Sequence, residues 1–312
     1  MKRKLLFIYI KILEIFLNIC YMFILNKKKR NFFRKNNKIK IRALYLKKYV
    51  DLCKNFEYTK TDEKIVKKIW LFWMQGEEEA PNIVKKCIES VKNQYQNEYE
   101  IIVLTNKNVK DYIGEKSGGE NNIPDYVFEK HEKKYITNTQ FSDILRLCLL
   151  AKYGGIWIDA TVLLTGKIPE NILKSDFFCF HSQPFYTINN WLLVAKKNNY
   201  IINTMRKAML EYWKYETIMI DYFMYHIFFD LLLKNNKNFQ NDFSKVIKLM
   251  DCDYHYELGS YLLHKYDKNL FDSILNKTTI HKLSYRYMLA KNFNKEKSEK
   301  GTFLGKILEL KL

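Results

Sequence analysis

With 312 residues, 47% of them hydrophobic and 16% aromatic, the chain can bury one large core, and 10 Gly and 4 Pro rule out a fibrous or low-complexity protein. The net charge of +19 is local: residues 1–50 hold 15 Lys or Arg against the single acid Glu14, which leaves +5 for the rest of the chain. A charge placed outside the main domain, with no zinc-finger spacing, no RNP-like run and no helix-turn-helix signature, argues against a nucleic-acid binder.

The six cysteines are scattered without a C-x-x-C pair, which excludes a disulfide scaffold or a structural zinc site and suits a reducing, cytosolic environment. Residues 5–25, "LLFIYIKILEIFLNICYMFIL", are long enough for a bilayer span of about 20 residues. Lys11, Glu14 and Asn18, at i, i+3 and i+7, would however form one polar stripe on a helix, and Lys11 can pair with Glu14. That pattern favours a helix lying in a membrane interface or packed against protein. No small-residue cleavage site follows, so the segment is expected to be retained. From Lys27 to Lys48 there are eleven Lys or Arg and no acid, a composition suited to an anionic membrane surface; the charge bias puts the main domain on the cytoplasmic face of the plasma membrane. Residues 1–60 are therefore read as a basic helical segment and 61–312 as the main domain.

Beyond residue 60 the pattern alternates. "KIWLFWM" (68–74) reads as a buried strand, a helix begins at Pro81 and runs to about Gln96, and "YEIIVLT" (99–105) is the next strand. Strand, helix, strand in this order implies an α/β fold with a mostly parallel, Rossmann-like sheet and flanking helices. A helix capped by Asn138 or Thr139 is expected to reach Lys152, ended by Gly154 and Gly155, with Asp143 and Arg146 on one face. "IWIDATVLL" (156–164) follows as a strand, with Trp157, Asp159 and Thr161 on one side and Ile156, Ile158 and Ala160 on the other. Further strands are expected at 176–181 and 190–197, and helices at 199–214 and 217–234. Taken singly, Asp143 and Arg146 read as a helix salt bridge and Asp159 as a strand-end cap; together, a carboxylate at a strand end and an arginine fork suit a hard cation and a diphosphate.

The ordered set W-x-x-W-x-Q-G, F-S-D-I-L-R and Y-G-G-I-W-I-D-A-T resembles the capsular polysaccharide synthesis proteins, a branch of the GT-A glycosyltransferases with a DxD-type sugar-binding region. A more distant version of the layout occurs in clostridial glucosylating toxins. The resemblance is specific over residues 65–165 and looser to about 290. It implies a GT-A-like α/β fold and transfer of a hexose, with retention, from a nucleotide diphosphate sugar to a hydroxyl of a capsular or cell-surface glycan, lipid-linked or free.

Carried over by position, Trp73 with Gln75 and Gly76 meets the nucleotide, Asp143 hydroxyls of ribose or sugar, and Arg146 sugar and phosphate. Asp159 matches the first acid of the metal-binding element; Thr161 stands where a second aspartate is usual, which puts dependence on Mn²⁺ or Mg²⁺ in question. His281 is the expected third metal ligand and Lys282 a diphosphate contact. Asp221, with His226 near it, is a further catalytic candidate, and His181 and Gln183 are candidates for the acceptor side. The competing classes are a non-catalytic membrane-associated nucleotide-sugar or lipid-binding protein and a toxin-like transferase acting on protein.

Overall fold

The computed structural model describes residues 2–24, 26–54, 65–119, 121–250, 253–289 and 299–311; the boundary expected at residue 60 and Cys252 lie outside the described residues. The chain opens with α1 (Lys2–Met22) and α2 (Lys27–Asp51), and enters β1 (Lys68–Phe72), α3 (Asn82–Tyr95) and β2 (Glu100–Leu104). Next come α4 (Val109–Ile113), α5 (Asp125–Glu132), α6 (Asn138–Lys152), β3 (Gly155–Ile158), β4 (Val162–Leu164), α7 (Glu170–Leu173), β5 (Phe177–His181) and β6 (Ile188–Ala195). The remainder is mainly helical: α8 (Tyr200–Tyr215), α9 (Met224–Asn235), α10 (Lys237–Ser244), α11 (Asp253–Tyr261), α12 (Lys268–Lys277), then β7 (Ile280–Lys282) and a last helix, Phe303–Glu309.

Five strands form the central sheet in the order β2-β1-β3-β6-β5. β1 runs parallel to both β2 and β3, β6 runs against β3, and β5 runs against β6. Four of the five strands therefore point the same way. The alternation of side chains sorts the core into two layers. Trp70 and Trp157 face α6, α8 and α9, whereas Ile69, Leu71, Ile156 and Ile158 face α3, α11 and the last helix.

Pro81 caps α3, whose stripe of Ile83, Val84, Cys87, Ile88 and Val91 is buried on the second layer. α6 differs, because it is buried nearly all round between the sheet and α8. Its cap is Thr137, whose side chain accepts from Gln140 N, and not the expected Asn138 or Thr139. Each of Ile144, Leu145, Leu147 and Leu149 is removed from water, at about 1.5–3 kcal/mol apiece. Any polar side chain on such a helix is carried into the interior and needs a partner there.

The turn from α6 to β3 demands glycine. Gly154 and Gly155 have φ of +72° and +100°, and a Cβ on them would lie 2.5 Å from Lys197 N and 2.6 Å from Lys68 O. The single strand expected over 156–164 is broken in two. Asp159 N still bonds to Trp191 O at 2.9 Å, but Val162 N then turns back onto Asp159 O at 2.9 Å, and β4 leaves the sheet to pair with β7. Likewise the helix expected from 217 begins only at Met224, since the Asp221 carboxylate accepts from Phe223 N at 2.7 Å and holds residues 217–223 as a loop.

α1 and α2 form a hairpin in which the polar stripe of α1 meets polar side chains of α2. Glu14 accepts from Arg42 Nε at 2.9 Å and sits 3.5 Å from Lys11, and Asn18 Oδ1 accepts from Arg34 Nε at 2.9 Å. The second half of α2 is a core element: Ile41, Tyr45, Leu46, Tyr49 and Val50 are buried with α8 and α9. No helix among the described residues is long and apolar enough to cross a membrane.

Candidate functional site

An open cleft of about 750 Å³ lies at the carboxyl ends of β1 and β3, where α/β sheets place ligands. Asp143, Arg146, Asp159, Thr161, Trp73, Gln75 and Lys282 all line it. β3 delivers Asp159 at its end, α6 delivers Asp143 and Arg146 from inside, and the pairing of Val162 with Lys282 brings the C-terminal segment to the same place.

Arg146 is the hub. Its guanidinium lies 3.2 Å from Asp143 and 3.4 Å from Asp159, and it stacks 4.9 Å from the Trp157 ring centroid. Its remaining N–H groups donate to Ser142 O at 3.2 Å, to Ser142 Oγ at 3.1 Å and to Asn190 O. The expectation that Arg146 reaches sugar and phosphate is therefore revised. Only 4% exposed, its guanidinium meets protein acceptors on every N–H and bridges the two carboxylates.

Asp143, equally buried, also accepts from Asn190 Nδ2 at 2.9 Å. Burial pushes its carboxyl up to about 6, against the pull of Arg146, with the Asp159 charge adding to the rise. Asp159 goes the other way. Burial raises it, but Lys282 and Arg146, helped by the Trp157 indole N–H at 2.9 Å, hold it below the usual carboxylate range.

Lys282 Nζ sits 3.2 Å from Asp159 Oδ2 and donates to Thr161 Oγ1. Adjacent strand residues face opposite sides, so turning Lys282 into the cleft sends His281 into the core. His281 is 0% exposed, contacts Thr165 Oγ1 at 3.2 Å, and burial lowers its imidazole to about 4. The donor set expected for a divalent cation, Asp159, Thr161 and His281, is therefore not assembled. Among the described residues no three His, Cys, Asp or Glu side chains cluster to hold a metal.

Asp221 is also placed elsewhere: it pairs with Arg42 of α2 and does not line the cleft. Gly76, at φ +94°, shapes the turn after β1 behind Gln75. His181 stacks on Phe243 at 5.0 Å, and neither it nor Gln183 reaches the cleft. His226 does line it, and burial with the Arg146 charge lowers it to about 3, so the imidazole is neutral at physiological pH.

Several lining residues escaped the sequence reading. Asn190 and Asn189 open β6, and two amides at the head of the apolar run "WLLVA" were the available signal. Tyr285 meets Trp73 edge to face at 5.1 Å, and Arg286 donates to Tyr222 Oη at 2.6 Å; both continue the "HKLSYR" segment.

A polar, aromatic-walled cleft at the carboxyl ends of an α/β sheet, together with the family match, defines the class as a glycosyltransferase. The chain belongs to the capsular polysaccharide synthesis protein family, whose sequence profile matches residues 21–307. Among solved structures it is similar to the PaToxG glycosyltransferase at 16% identity and a TM-score of 0.39, covering 69% of this chain and 84% of that one. A transferase mutant with two cysteine-to-serine changes matches at 12% identity and a TM-score of 0.31, covering 60% and 96%. No curated protein matches the sequence.

Proposed function

We propose that the protein transfers a hexose from a nucleotide diphosphate sugar to a hydroxyl of a capsular or cell-surface polysaccharide, retaining the anomeric configuration. The observation that carries this reading is the convergence of Asp143, Arg146, Asp159 and Lys282 on one cleft with Trp73 and Tyr285 on its wall. The aromatic pair offers a stacking surface to a nucleobase. Asn190 and Ser142 line the cleft and can donate to and accept from sugar hydroxyls, with the buried Asp143 holding the Asn190 amide in place. Lys282 supplies positive charge for the diphosphate as it leaves.

Among the described residues, Asp143 and Asp159 are the two carboxylates lining the cleft, and both are held by cations. Neither is placed as a free nucleophile. The acceptor oxygen then bonds to the anomeric carbon on the face from which the diphosphate departs; the C–O bond to phosphate breaks, and a phosphate oxygen takes the hydroxyl proton. Incubating the full chain with UDP-, GDP- and CMP-sugars tests the reading. Release of the nucleotide from one donor, abolished in Asp159→Ala, is expected; binding of a donor without turnover, with or without glycan acceptors, would point to a non-catalytic sugar-nucleotide protein instead.

We further propose that the hairpin rests on the anionic cytoplasmic leaflet. Ile12, Ile15, Phe16, Ile19 and Phe23 of its first arm are exposed, beside the basic start of α2. Co-sedimentation with phosphatidylglycerol vesicles, weaker with phosphatidylcholine and lost in Phe16→Asp, is the expected result; equal recovery with both lipids would remove the electrostatic part.

A further inference from the structure

We infer that the diphosphate of the donor is held by Lys282 and Arg286, two side chains of the C-terminal segment, in place of a divalent cation, so that donor binding by this chain does not require metal. The inference rests on the sugar-nucleotide reading above and deepens it.

The oxygens that a cation would use are already committed. Asp159 Oδ1 accepts from the Trp157 indole at 2.9 Å and faces Arg146 at 3.4 Å, while Oδ2 faces the Lys282 ammonium at 3.2 Å. The Thr161 hydroxyl accepts from the same ammonium, and the His281 ring is buried on the far side of β7. A Mg²⁺ ion needs about six oxygens in near-octahedral array at roughly 2.0–2.1 Å. At Asp159 it would find one carboxylate, and would meet a fixed positive charge at contact distance.

The same geometry supplies what the cation would have done. Lys282 is anchored by Asp159 and Thr161 yet retains exposure to the cleft. Arg286, exposed and four residues on, also lines the cleft; Tyr222 Oη accepts from its guanidinium at 2.6 Å, and it has no acidic partner among the described ion pairs. Asp143 and Asp159 balance Arg146 and Lys282, which leaves Arg286 as the excess positive charge of the cleft. An ammonium and a planar fork lining one cleft are a suitable pair for two linked phosphates. Asp159 thereby becomes a positioning residue for Lys282.

The test is calorimetric titration of the full chain with uridine and guanosine diphosphate, in chelator and in excess Mn²⁺. Equal affinity in both media is expected, with Lys282→Ala and Arg286→Ala each weakening binding about tenfold or more in either medium and Lys282→Arg restoring much of it. Arg286 is exposed, so its variant keeps the test open if Lys282→Ala fails to fold. Binding that appears only with Mn²⁺, or that survives both alanine variants, would overturn the inference while leaving the sugar-nucleotide reading standing. No binding of either diphosphate or of any sugar donor in any medium would sink that reading, and the inference with it.

Discussion

Two charge networks of similar composition do different work in this molecule. In one, Arg42 of α2 joins Glu14 of α1 to Asp221 in the loop before α9. In the other, Arg146 of α6 joins Asp143 to Asp159, with Lys282 closing the far side. Each is an arginine between two acids. The first ties the N-terminal hairpin to the main domain, with Glu14 and Arg42 edging a groove between the hairpin's two arms, whereas the second opens onto the cleft at the carboxyl ends of the sheet strands and carries an additional lysine from a distant strand. An acid and a base side by side do not mark a site; a place at the carboxyl ends of the sheet strands, where α/β folds put ligands, does.

The sharpest way to break this comparison is to remove one member of each network. Asp159→Ala should lower donor turnover about 100-fold or more, because the lysine it places loses its aim. The rate of nucleotide release measures it, and a variant with near-normal turnover would move the chemistry elsewhere. Arg42→Ala should instead cost about 3 kcal/mol of stability, since it leaves Asp221 in the interior without its cation. Chemical denaturation reads that loss, and donor affinity should stay close to wild type; a collapse of affinity would make the hairpin part of the site.

pH separates the networks more gently. The Asp143 carboxyl, at about 6 in the folded chain against an ordinary 3.8, is raised. The folded state therefore binds the proton more tightly than the unfolded one between these values. The cost of burying the charge is present above pH 6 and is relieved as pH falls toward 4, so this residue's contribution makes stability rise on mild acidification. Donor affinity should move oppositely, falling below pH 6 as Asp143 ceases to be an anionic acceptor. Asp143→Asn should remove that acid limb from the affinity profile. The smallest effect belongs to exposed pairs outside both networks: Lys47→Ala, which breaks a bond to Asp51 on the surface of α2, should change the unfolding free energy by about 0.5 kcal/mol or less.

Much of the fold was legible because it is local. The apolar stripe of α3, the Gly154-Gly155 stop and the two-residue alternation of Trp157 against Ile156 and Ile158 each arise from backbone geometry within a few residues. The break of the strand at Asp159 was not, since it depends on β7 arriving to pair with β4. The antiparallel setting of β6 was equally hidden, because direction within a sheet is a relation between segments.

The site divides along the same line. Asp143, Arg146 and Asp159 could be named from sequence because they lie on one helix and the strand that follows it, within seventeen residues of one another. Lys282 and His281 are neighbours in sequence, and only the pairing of β7 with β4 decided that the lysine faces the cleft and the histidine the core. Asp221 looked equally eligible until Arg42, 179 residues away, claimed it. Sequence by itself determined which residues carry charge and which short segments become helix or strand, because propensity and periodicity act over a few residues. Tertiary structure alone decided which charges meet, since desolvation and pairing act through space, and the same aspartate is a structural tie or part of a binding site according to what folds against it.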